Sequence, residues 1–272
     1  MITRVRERKG RGNIRRQQIC NLLMERGYAD VGDLSKQLNA NVATVRRDLI
    51  KLEAEGAVER VHGGAYARAA QTGVLVDFSL RTKFQSDAKR AIARKVASLI
   101  ENGDTVYLDT GTTAAMVAEE LVERQPLVVV TNSLAVAQIL LMSRGINLYV
   151  VGGRYLPHTR ALIGPMTERE IEGFRFRKTI LATAGIDYKN RVITNAAFEE
   201  VPLKRAAMRQ SDQVILAADS SKFGKPSLIS MIPLSDIHIL VTDMDPPPEA
   251  AAILRSLGIE VLIGGTSPKE PH

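Results

Sequence analysis

Apolar residues in the first seventy positions recur at helical spacing in three short segments. The first segment stops at Gly27 and the third ends near Gly56, and glycine is a common helix terminator. The three apolar stripes consist of Ile19, Leu22 and Leu23, then Val31, Leu34 and Leu38, then Val45, Leu49 and Leu52. This spacing predicts three short helices, each with one buried face.

The segment between the second and third stripes has the residues of a tight turn. Asn39 tolerates the left-handed conformation that such a turn often requires. Asn41 is a good N-cap for a helix that begins at Val42. A helix, a short turn and a second helix are the outline of a helix-turn-helix.

The third helix also has a polar side. When its apolar stripe faces inward, Ala43, Arg47 and Lys51 lie on the opposite side, with Thr44 and Arg46 on the flanks. Small residues near the helix start allow close approach to a major groove, arginine can pair with guanine, and lysine can reach phosphate. This pattern favours DNA binding, although a solvated surface would also be polar. The predicted DNA-binding residues of this helix are Asn41, Ala43, Thr44, Arg46, Arg47 and Lys51.

A hairpin is predicted directly after the third helix. Residues 57–61 and 64–67 form two short β-rich runs around His62-Gly63. A hairpin in this position would make a winged module, in which Arg60 and His62 could contact the phosphate backbone. His62 has no second histidine or cysteine nearby, so we expect no metal there.

From about Ser86 onward, short apolar runs alternate with helical stretches. The predicted strands are TVYL, LVVVT, NLYVVGG, TILATAG, QVILAA, HILVT and EVLIGG, which begin at residues 105, 127, 147, 179, 213, 238 and 260. This alternation predicts an α/β domain with a largely parallel sheet. The predicted organisation is a basic tail (1–13), a winged helix-turn-helix (14–67), a linker (68–85) and an α/β domain (86–272).

The stretch VYLDTGTTAAMVAEEL, residues 106–121, joins a strand to an alanine-rich helix through a glycine-containing turn. The N-terminus of such a helix offers free N–H groups and the positive end of the helix dipole, which suit a phosphate. An aspartic protease would need an all-β setting, and the helix directly after the turn argues against one. An ordinary strand-to-helix turn that binds no ligand remains an alternative. The predicted phosphate-binding residues are Asp109, Thr110, Gly111, Thr112 and Thr113.

Polar residues also follow several other strands. Ligands of parallel sheets bind beyond the carboxyl ends of the strands, so these residues could complete one pocket for a polyol phosphate. Each alone is compatible with an ordinary turn. The further residues predicted to bind this ligand are Asn132, Ser133, Gly152, Gly153, Asp187, Glu199 and Lys222.

Composition narrows the function classes. The formal net charge is +7, and residues 1–70 hold 14 Lys and Arg against 8 Asp and Glu, so the excess lies in the N-terminal quarter. This bias favours an anionic polymer as partner, or a basic tail. No apolar run is long enough to span a membrane, and the N-terminus lacks the pattern of a secretory signal. One cysteine and no Cys/His cluster predict no internal disulfide, metal or other cofactor, and a cytoplasmic location.

The segment VATVRRDLIKLEAEGAVERVHGGA, residues 42–65, resembles the signature of the DeoR family of bacterial transcriptional regulators. LDTGTT, VVTNS, VVGG, AGID and DSSKFG resemble the sensor domain of the same family, so the resemblance extends over residues 14–265. This sequence departs from the family pattern in the turn, where Asn39 and Asn41 replace the usual glycine and serine.

The resemblance implies a sensor domain related in fold to ribose-5-phosphate isomerase and a phosphorylated sugar or polyol as effector. The expected function is a repressor of carbohydrate catabolic genes that binds operator DNA as a homodimer or homotetramer. The alternative is an isomerase-type enzyme, but the positions aligned with its catalytic Lys and Glu are Asn195 and Lys204. A module that binds sugar phosphate without DNA is a third possibility.

Overall fold

The computed structural model describes residues 12, 14–23, 28–54, 57–61, 63–67, 78–83 and 85–265. The chain divides into two compact units, residues 1–74 and 75–272. Within the described ranges, every helix is too short or too polar to span a membrane.

The described part of the N-terminal unit contains three helices and a small antiparallel sheet. Its elements are α1 (residues 14–23), β1 (Tyr28–Asp30), α2 (Val31–Gln37), α3 (Val42–Ala54), β2 (Val58–Val61) and β3 (Gly64–Ala67). The sheet order is β1-β3-β2, so the predicted hairpin gains a third strand, β1, which the sequence did not indicate. Three residues between α1 and α2 showed no pattern from which to predict a strand.

Local polar contacts fix the turn between α2 and α3. Asn39 has φ of 45°, the left-handed conformation that the sequence predicted. The side-chain oxygen of Asn41 accepts a hydrogen bond from the Ala43 N–H at 2.8 Å, which satisfies one unpaired donor of the first turn of α3. Asp30 similarly caps α2 through the Asp33 N–H at 2.9 Å. The helices pack through a core that includes Ile19, Leu34, Leu49 and Leu52.

The second unit contains a parallel sheet between two layers of helices. Its helices are α4 (Phe78–Lys83), α5 (Ser86–Ser98), α6 (Thr112–Leu121), α7 (Leu134–Leu140), α8 (Pro165–Glu172), α9 (Val201–Arg209) and α10 (Pro248–Ser256). Its strands are β4 (Thr105–Leu108), β5 (Leu127–Thr131), β6 (Ile146–Val150), β7 (Arg154–Leu156), β8 (Ala161–Ile163), β9 (Phe176–Ala182), β10 (Gly185–Asp187), β11 (Val192–Asn195), β12 (Ser211–Ala217), β13 (Ile229–Pro233), β14 (Ile239–Thr242) and β15 (Glu260–Ile263).

Seven strands form the main sheet in the order β15-β14-β12-β9-β4-β5-β6, and every neighbouring pair is parallel. These seven are the strands that the apolar runs predicted. Successive side chains enter opposite layers, as the strand period requires. Leu108 packs in the core with α5, α6 and α7, whereas Tyr107 packs in the core with α9.

Shorter elements were not apparent in the sequence. β7 and β8 form a two-stranded hairpin, and β10, β11 and β13 form a separate antiparallel sheet. The predicted linker includes α4 at residues 78–83, while its positions 68–77 and 84 lie outside the described residues. Phe78 of α4 is buried against Ala115 of α6, which accounts for a helix in this segment.

Candidate anion-binding site and nucleic-acid interface

The order of strands in the main sheet creates a switch point between β4 and β9. From β4 the chain proceeds through β5 to β6 in one direction, and β9 then begins the other half on the opposite side of β4. In open parallel sheets, ligands bind in the crevice at such a switch point, beyond the carboxyl ends of the strands. The segments that follow β4, β9 and β12 meet at this edge.

The N-terminus of α6 lies at the switch point and is not capped. Gly111 precedes the helix with φ of 104°, and in the described part of the chain no side chain caps its first turn. Among the described residues, no hydrogen bond involves the hydroxyl of Thr112 or Thr113. The N-terminus of α7 differs, because the Ser133 hydroxyl accepts from the Val136 N–H at 3.3 Å. α6 therefore presents unpaired donors in the place where the sequence predicted a phosphate.

Asp109 turns away from this helix end into the protein. Its carboxylate forms a buried ion pair with Lys204 of α9 and accepts a hydrogen bond from the Ala182 N–H at 2.9 Å. The Lys204 ammonium also donates to the Ala182 carbonyl at 3.2 Å. Burial raises the pKa of Asp109, and Lys204 opposes that rise. These contacts tie the ends of β4 and β9 to α9.

Thr110 belongs to the same buried network. Its hydroxyl donates to the Glu200 carboxylate at 3.1 Å, and the Asn195 amide donates to the other oxygen of that carboxylate at 3.1 Å. Thr110, Glu200 and Asn195 are all buried. Asp109 and Thr110, which the sequence predicted as ligand contacts, thus already have partners within the protein. Their contact with a ligand stays a prediction.

The segment after β12 places a carboxylate and two lysines near one another. Asp219 is buried, and its Oδ1 accepts from the Ser221 N–H at 3.1 Å, whereas its Oδ2 is buried and has no hydrogen-bond partner in the described part of the chain. Lys222 lies in the 3₁₀ turn Ser220–Lys222 and is partly exposed. The Asp219 carboxylate and the Lys222 ammonium are both close enough to Lys89 of α5 to affect its pKa.

Lys89 is the functional candidate that the sequence reasoning missed. Burial lowers the pKa of Lys89 to about 7, Asp219 opposes this change, and Lys222 and Arg81 add to it. Its ammonium donates to the Arg81 carbonyl at 2.5 Å. The sequence did contain a sign of its burial. Lys89 lies three residues before Ile92 and seven before Val96, so it falls on the apolar stripe of its helix.

Two predicted residues after β5 are engaged in structural hydrogen bonds. The Asn132 carbonyl oxygen accepts from the Tyr107 hydroxyl at 2.7 Å, and its amide donates to the Leu162 carbonyl at 2.8 Å. Ser133 caps α7 as described above. Both side chains are buried and have partners within the protein, and their contact with a ligand stays a prediction.

The two predicted glycines after β6 have a packing reason. Gly152 donates to the Glu170 carboxylate at 2.9 Å and accepts from the Thr167 hydroxyl at 2.6 Å. A Cβ at Gly153 would lie 2.1 Å from the Thr167 hydroxyl oxygen, so no larger residue fits there without a shift. Their place after β6 is two strands away from β4.

Asp187 and Glu199 lie outside the main sheet. Asp187 ends β10 and accepts from the Asn190 backbone at 3.1 Å and from its side chain at 2.8 Å. β10 is joined to the segment after β12, because the Gly224 N–H donates to the Ile186 carbonyl at 2.9 Å. Glu199 is exposed in the 3₁₀ turn Phe198–Glu200 and lies 3.8 Å from Arg154. The role of each as a ligand contact stays a prediction.

The N-terminal unit presents a basic helix face. α3 begins at Val42, and its buried residues are Val45, Asp48, Leu49 and Leu52. Arg15 of α1 binds the Asp48 carboxylate at 2.6 Å, so the buried acid of α3 is neutralised inside the unit. Of the residues predicted to contact DNA, Asn41, Ala43, Arg46, Arg47 and Lys51 are exposed and Thr44 is partly exposed.

The wing contributes one described candidate. Arg60 of β2 is exposed and pairs with Glu53 of α3 at 3.2 Å. His62 lies outside the described residues. The described residues contain no cluster of three or more His, Cys, Asp or Glu side chains that could hold a metal ion.

Comparison with protein families identifies both units. A model described as the DeoR-like helix-turn-helix domain matches residues 15–71. A second, described as the DeoR C terminal sensor domain, matches residues 84–244, more than half of the chain.

Two curated relatives match along nearly their whole length. The transcriptional repressor AccR of Agrobacterium fabrum is 36% identical over 84% of this chain and 88% of its own. The glycerol-3-phosphate regulon repressor of Escherichia coli is 32% identical over 91% of this chain and 97% of its own.

A solved structure of ribose 5-phosphate isomerase A from Methanocaldococcus jannaschii resembles part of the chain. The match has a TM-score of 0.40 and 14% identity, and it covers 52% of this chain and 56% of the isomerase. A similarity this distant has no bearing on activity.

Proposed function

Because the chain belongs to the DeoR family of helix-turn-helix transcriptional regulators, we propose that it represses carbohydrate catabolic genes in response to a phosphorylated sugar or polyol. Membership identifies a DNA-binding regulator rather than an enzyme, so the isomerase-type alternative is set aside. The name of the Escherichia coli relative, a glycerol-3-phosphate regulon repressor, supports an effector of this class.

The DNA-binding function is assigned to α3 and the hairpin β2–β3. An exposed helix face with Arg46, Arg47 and Lys51 suits the major groove and its flanking phosphates. Asn41, Ala43 and Thr44 lie at the start of the same helix, where side chains reach base edges in helix-turn-helix proteins. Arg60 and His62 of the hairpin would contact the phosphate backbone beside the groove.

The uncapped N-terminus of α6 is the observation on which the effector site rests. Its free N–H groups, the hydroxyls of Thr112 and Thr113 and the positive end of the helix dipole together favour a dianion. Lys222 supplies positive charge from the segment after β12, and an anion bound nearby would favour the charged form of Lys89 in α5. A sugar phosphate would therefore place its phosphate group at α6.

The rest of the ligand would extend from β4 toward β12. These two strands are separated only by β9, so their carboxyl ends are about 10 Å apart at ordinary strand spacing. Asp219 Oδ2 is buried without a partner, and a ligand hydroxyl would supply the missing hydrogen bond. The Asp109–Lys204 and Thr110–Glu200 contacts would hold the walls of the pocket without contacting the ligand.

The proposed regulator acts in the cytoplasm as a homo-oligomer. Helix-turn-helix proteins usually bind two half-sites, and a symmetric dimer or tetramer supplies two such units. The effector must bind one DNA-affinity state better than the other, and the coupling energy in such systems is typically about 1–3 kcal/mol.

Calorimetric titration with sugar phosphates, polyol phosphates and their unphosphorylated counterparts tests the effector site. We expect binding of a phosphorylated compound and none of its unphosphorylated form. Lys222→Met removes a charge-assisted contact and should weaken that binding about ten- to hundredfold. Lys225→Met is the matched control, because Lys225 is exposed three residues away.

Equal affinity for phosphorylated and unphosphorylated compounds would contradict the proposal. If Lys222→Met and Lys225→Met lost the same affinity for the phosphorylated compound, Lys222 would not be a phosphate contact. Stabilisation against heat gives an independent readout, since a ligand at one hundred times its dissociation constant adds about 2.7 kcal/mol.

A further inference from the structure

One apolar residue of α3 does not follow the pattern of the others. Val45, Leu49 and Leu52 are buried in the core of the N-terminal unit, as the amphipathic pattern predicts. Ile50 lies between them in sequence, yet 50% of its surface is exposed. Removing such a side chain from water is favourable, so the exposed Ile50 indicates a surface that is covered when a partner binds.

Ile50 shares its helix face with the basic residues. Ala43, Arg46, Arg47 and Ile50 follow the spacing i, i+3, i+4 and i+7, and residues at this spacing lie on one side of a helix. The recognition helix of homeodomains reads the major groove with four residues at the same spacing. All four residues here are exposed.

The positive charge around Ile50 indicates that its partner is a nucleic acid rather than an apolar protein surface. Arg46, Arg47 and Lys51 are exposed beside it, while Asp48 is buried and paired with Arg15. Glu53 is the other acid of the helix, and it pairs with Arg60. An apolar side chain within a basic face therefore fits a partner that is anionic overall but offers an apolar group.

The major groove offers one such group. Thymine has a C5-methyl group there, and apolar side chains contact it in sequence-specific complexes. The arginines would pair with guanine or phosphate, which leaves the methyl contact to Ile50.

We propose that Ile50 contacts a thymine methyl group in each operator half-site and makes binding prefer thymine at that position. The inference rests on the proposed role of α3 as the recognition helix. It adds a specificity determinant that the polar residues of the helix do not provide.

Deoxyuridine tests this proposal because it differs from thymidine only by the missing C5-methyl group. The full chain is titrated with its operator, located by footprinting on its own promoter region, and with versions in which each thymine is replaced in turn. For the unaltered protein, we expect one thymine per half-site at which deoxyuridine weakens binding roughly three- to fivefold, the value of one buried methyl group.

The Ile50→Ala variant completes a double-mutant cycle. We expect it to bind the thymine operator about as weakly as the unaltered protein binds the deoxyuridine operator, and to be insensitive to the base change at that one position. Ile50→Val, which keeps a branched side chain, should recover part of the preference. Met142→Ala is the control for loss of an exposed apolar residue, because Met142 lies in the other unit and is 84% exposed.

Two results would overturn the proposal while DNA binding remains. One is an operator in which no thymine responds to deoxyuridine. The other is an Ile50→Ala variant that responds to deoxyuridine as strongly as the unaltered protein. Failure of the assignment of α3 is a separate outcome, in which Arg46→Ala and Arg47→Ala leave operator affinity unchanged. Thermal melting of Ile50→Ala checks that the substitution at this half-exposed position leaves folding unchanged.

Discussion

Among the residues at the carboxyl edge of β4, Asp109 and Thr110 have buried side-chain partners, whereas the hydroxyls of Thr112 and Thr113 have no hydrogen-bond partner among the described residues. The sequence grouped residues 109–113 as ligand contacts because they are consecutive in the chain. It could not reveal which side chains point inward, since this depends on Lys204 and Glu200, which follow some ninety residues later. The network of buried partners is therefore a property of the fold rather than of a local motif.

The Asp109–Lys204 pair gives the first prediction. Lys204→Met would leave the Asp109 carboxylate buried and without its counter-ion, which typically costs about 3–5 kcal/mol of unfolding free energy. Arg209→Met is the control on the same helix, since its pair with Glu172 is exposed and should contribute about 0–1 kcal/mol. Urea denaturation of both variants measures the difference, and equal losses would contradict a buried structural pair.

Lys89 gives a prediction about pH. Its pKa is lowered from 10.5 in the unfolded chain to about 7 in the folded protein. Between these two values the unfolded chain binds more protons, so this residue makes stability rise as pH increases from about 7 toward 10.5. Below about pH 7 the full cost of the buried charge is present.

Denaturation at pH 7 and pH 9 measures this contribution. The free energy of unfolding should rise between these pH values by more in the unaltered protein than in Lys89→Met, which has no titrating group at this position. Lys95→Met, a partly exposed position on the same helix, should behave like the unaltered protein. The assignment is wrong if the Lys89→Met and unaltered proteins show the same pH dependence.

Among the helices and strands, those with a clear apolar pattern could be predicted from the sequence, and those of only a few residues could not. All seven strands of the main sheet were predicted, because each contains an apolar run between turn residues, including the largely exposed edge strands β6 and β15. β1, β7, β8 and β10 have three residues each, too few to establish a period, and their conformation depends on partners such as β3. α4 was assigned to a linker for the same reason, since six residues show less than two helical turns.

In α3, the apolar pattern predicted the buried residues but not the exposure of Ile50. The apolar stripe predicted correctly that Val45, Leu49 and Leu52 are buried and that the arginines face outward. Ile50 fell outside that stripe, and its exposure became evident only from the packing of α3.

The basic face of α3 gives a prediction about salt. If Arg47 contacts a phosphate, Arg47→Ala should weaken binding to all DNA sequences and reduce the salt slope of log affinity by about one. If it pairs with guanine, the loss should instead be confined to operators that keep that base, at about 1–3 kcal/mol. Titrations at several salt concentrations with specific and random duplexes separate the two, and no loss on either duplex would remove Arg47 from the interface.

In the whole molecule, each of the two units has its own candidate surface for binding an anionic partner. The N-terminal unit presents the exposed arginines Arg46 and Arg47 on α3, and the second unit presents the uncapped N-terminus of α6. Neither feature alone makes a regulator. Regulation requires that occupation of one site changes affinity at the other.

Coupling between the two sites is measured by operator titrations with and without the effector. In fluorescence anisotropy titrations, saturating phosphorylated effector should change the operator dissociation constant about 5- to 150-fold, which corresponds to 1–3 kcal/mol. The Lys222→Met variant should bind the same operator but need a much higher effector concentration for the change, and Lys225→Met should match the unaltered protein. An operator affinity that stays constant while the effector demonstrably binds would show that the two sites are not coupled.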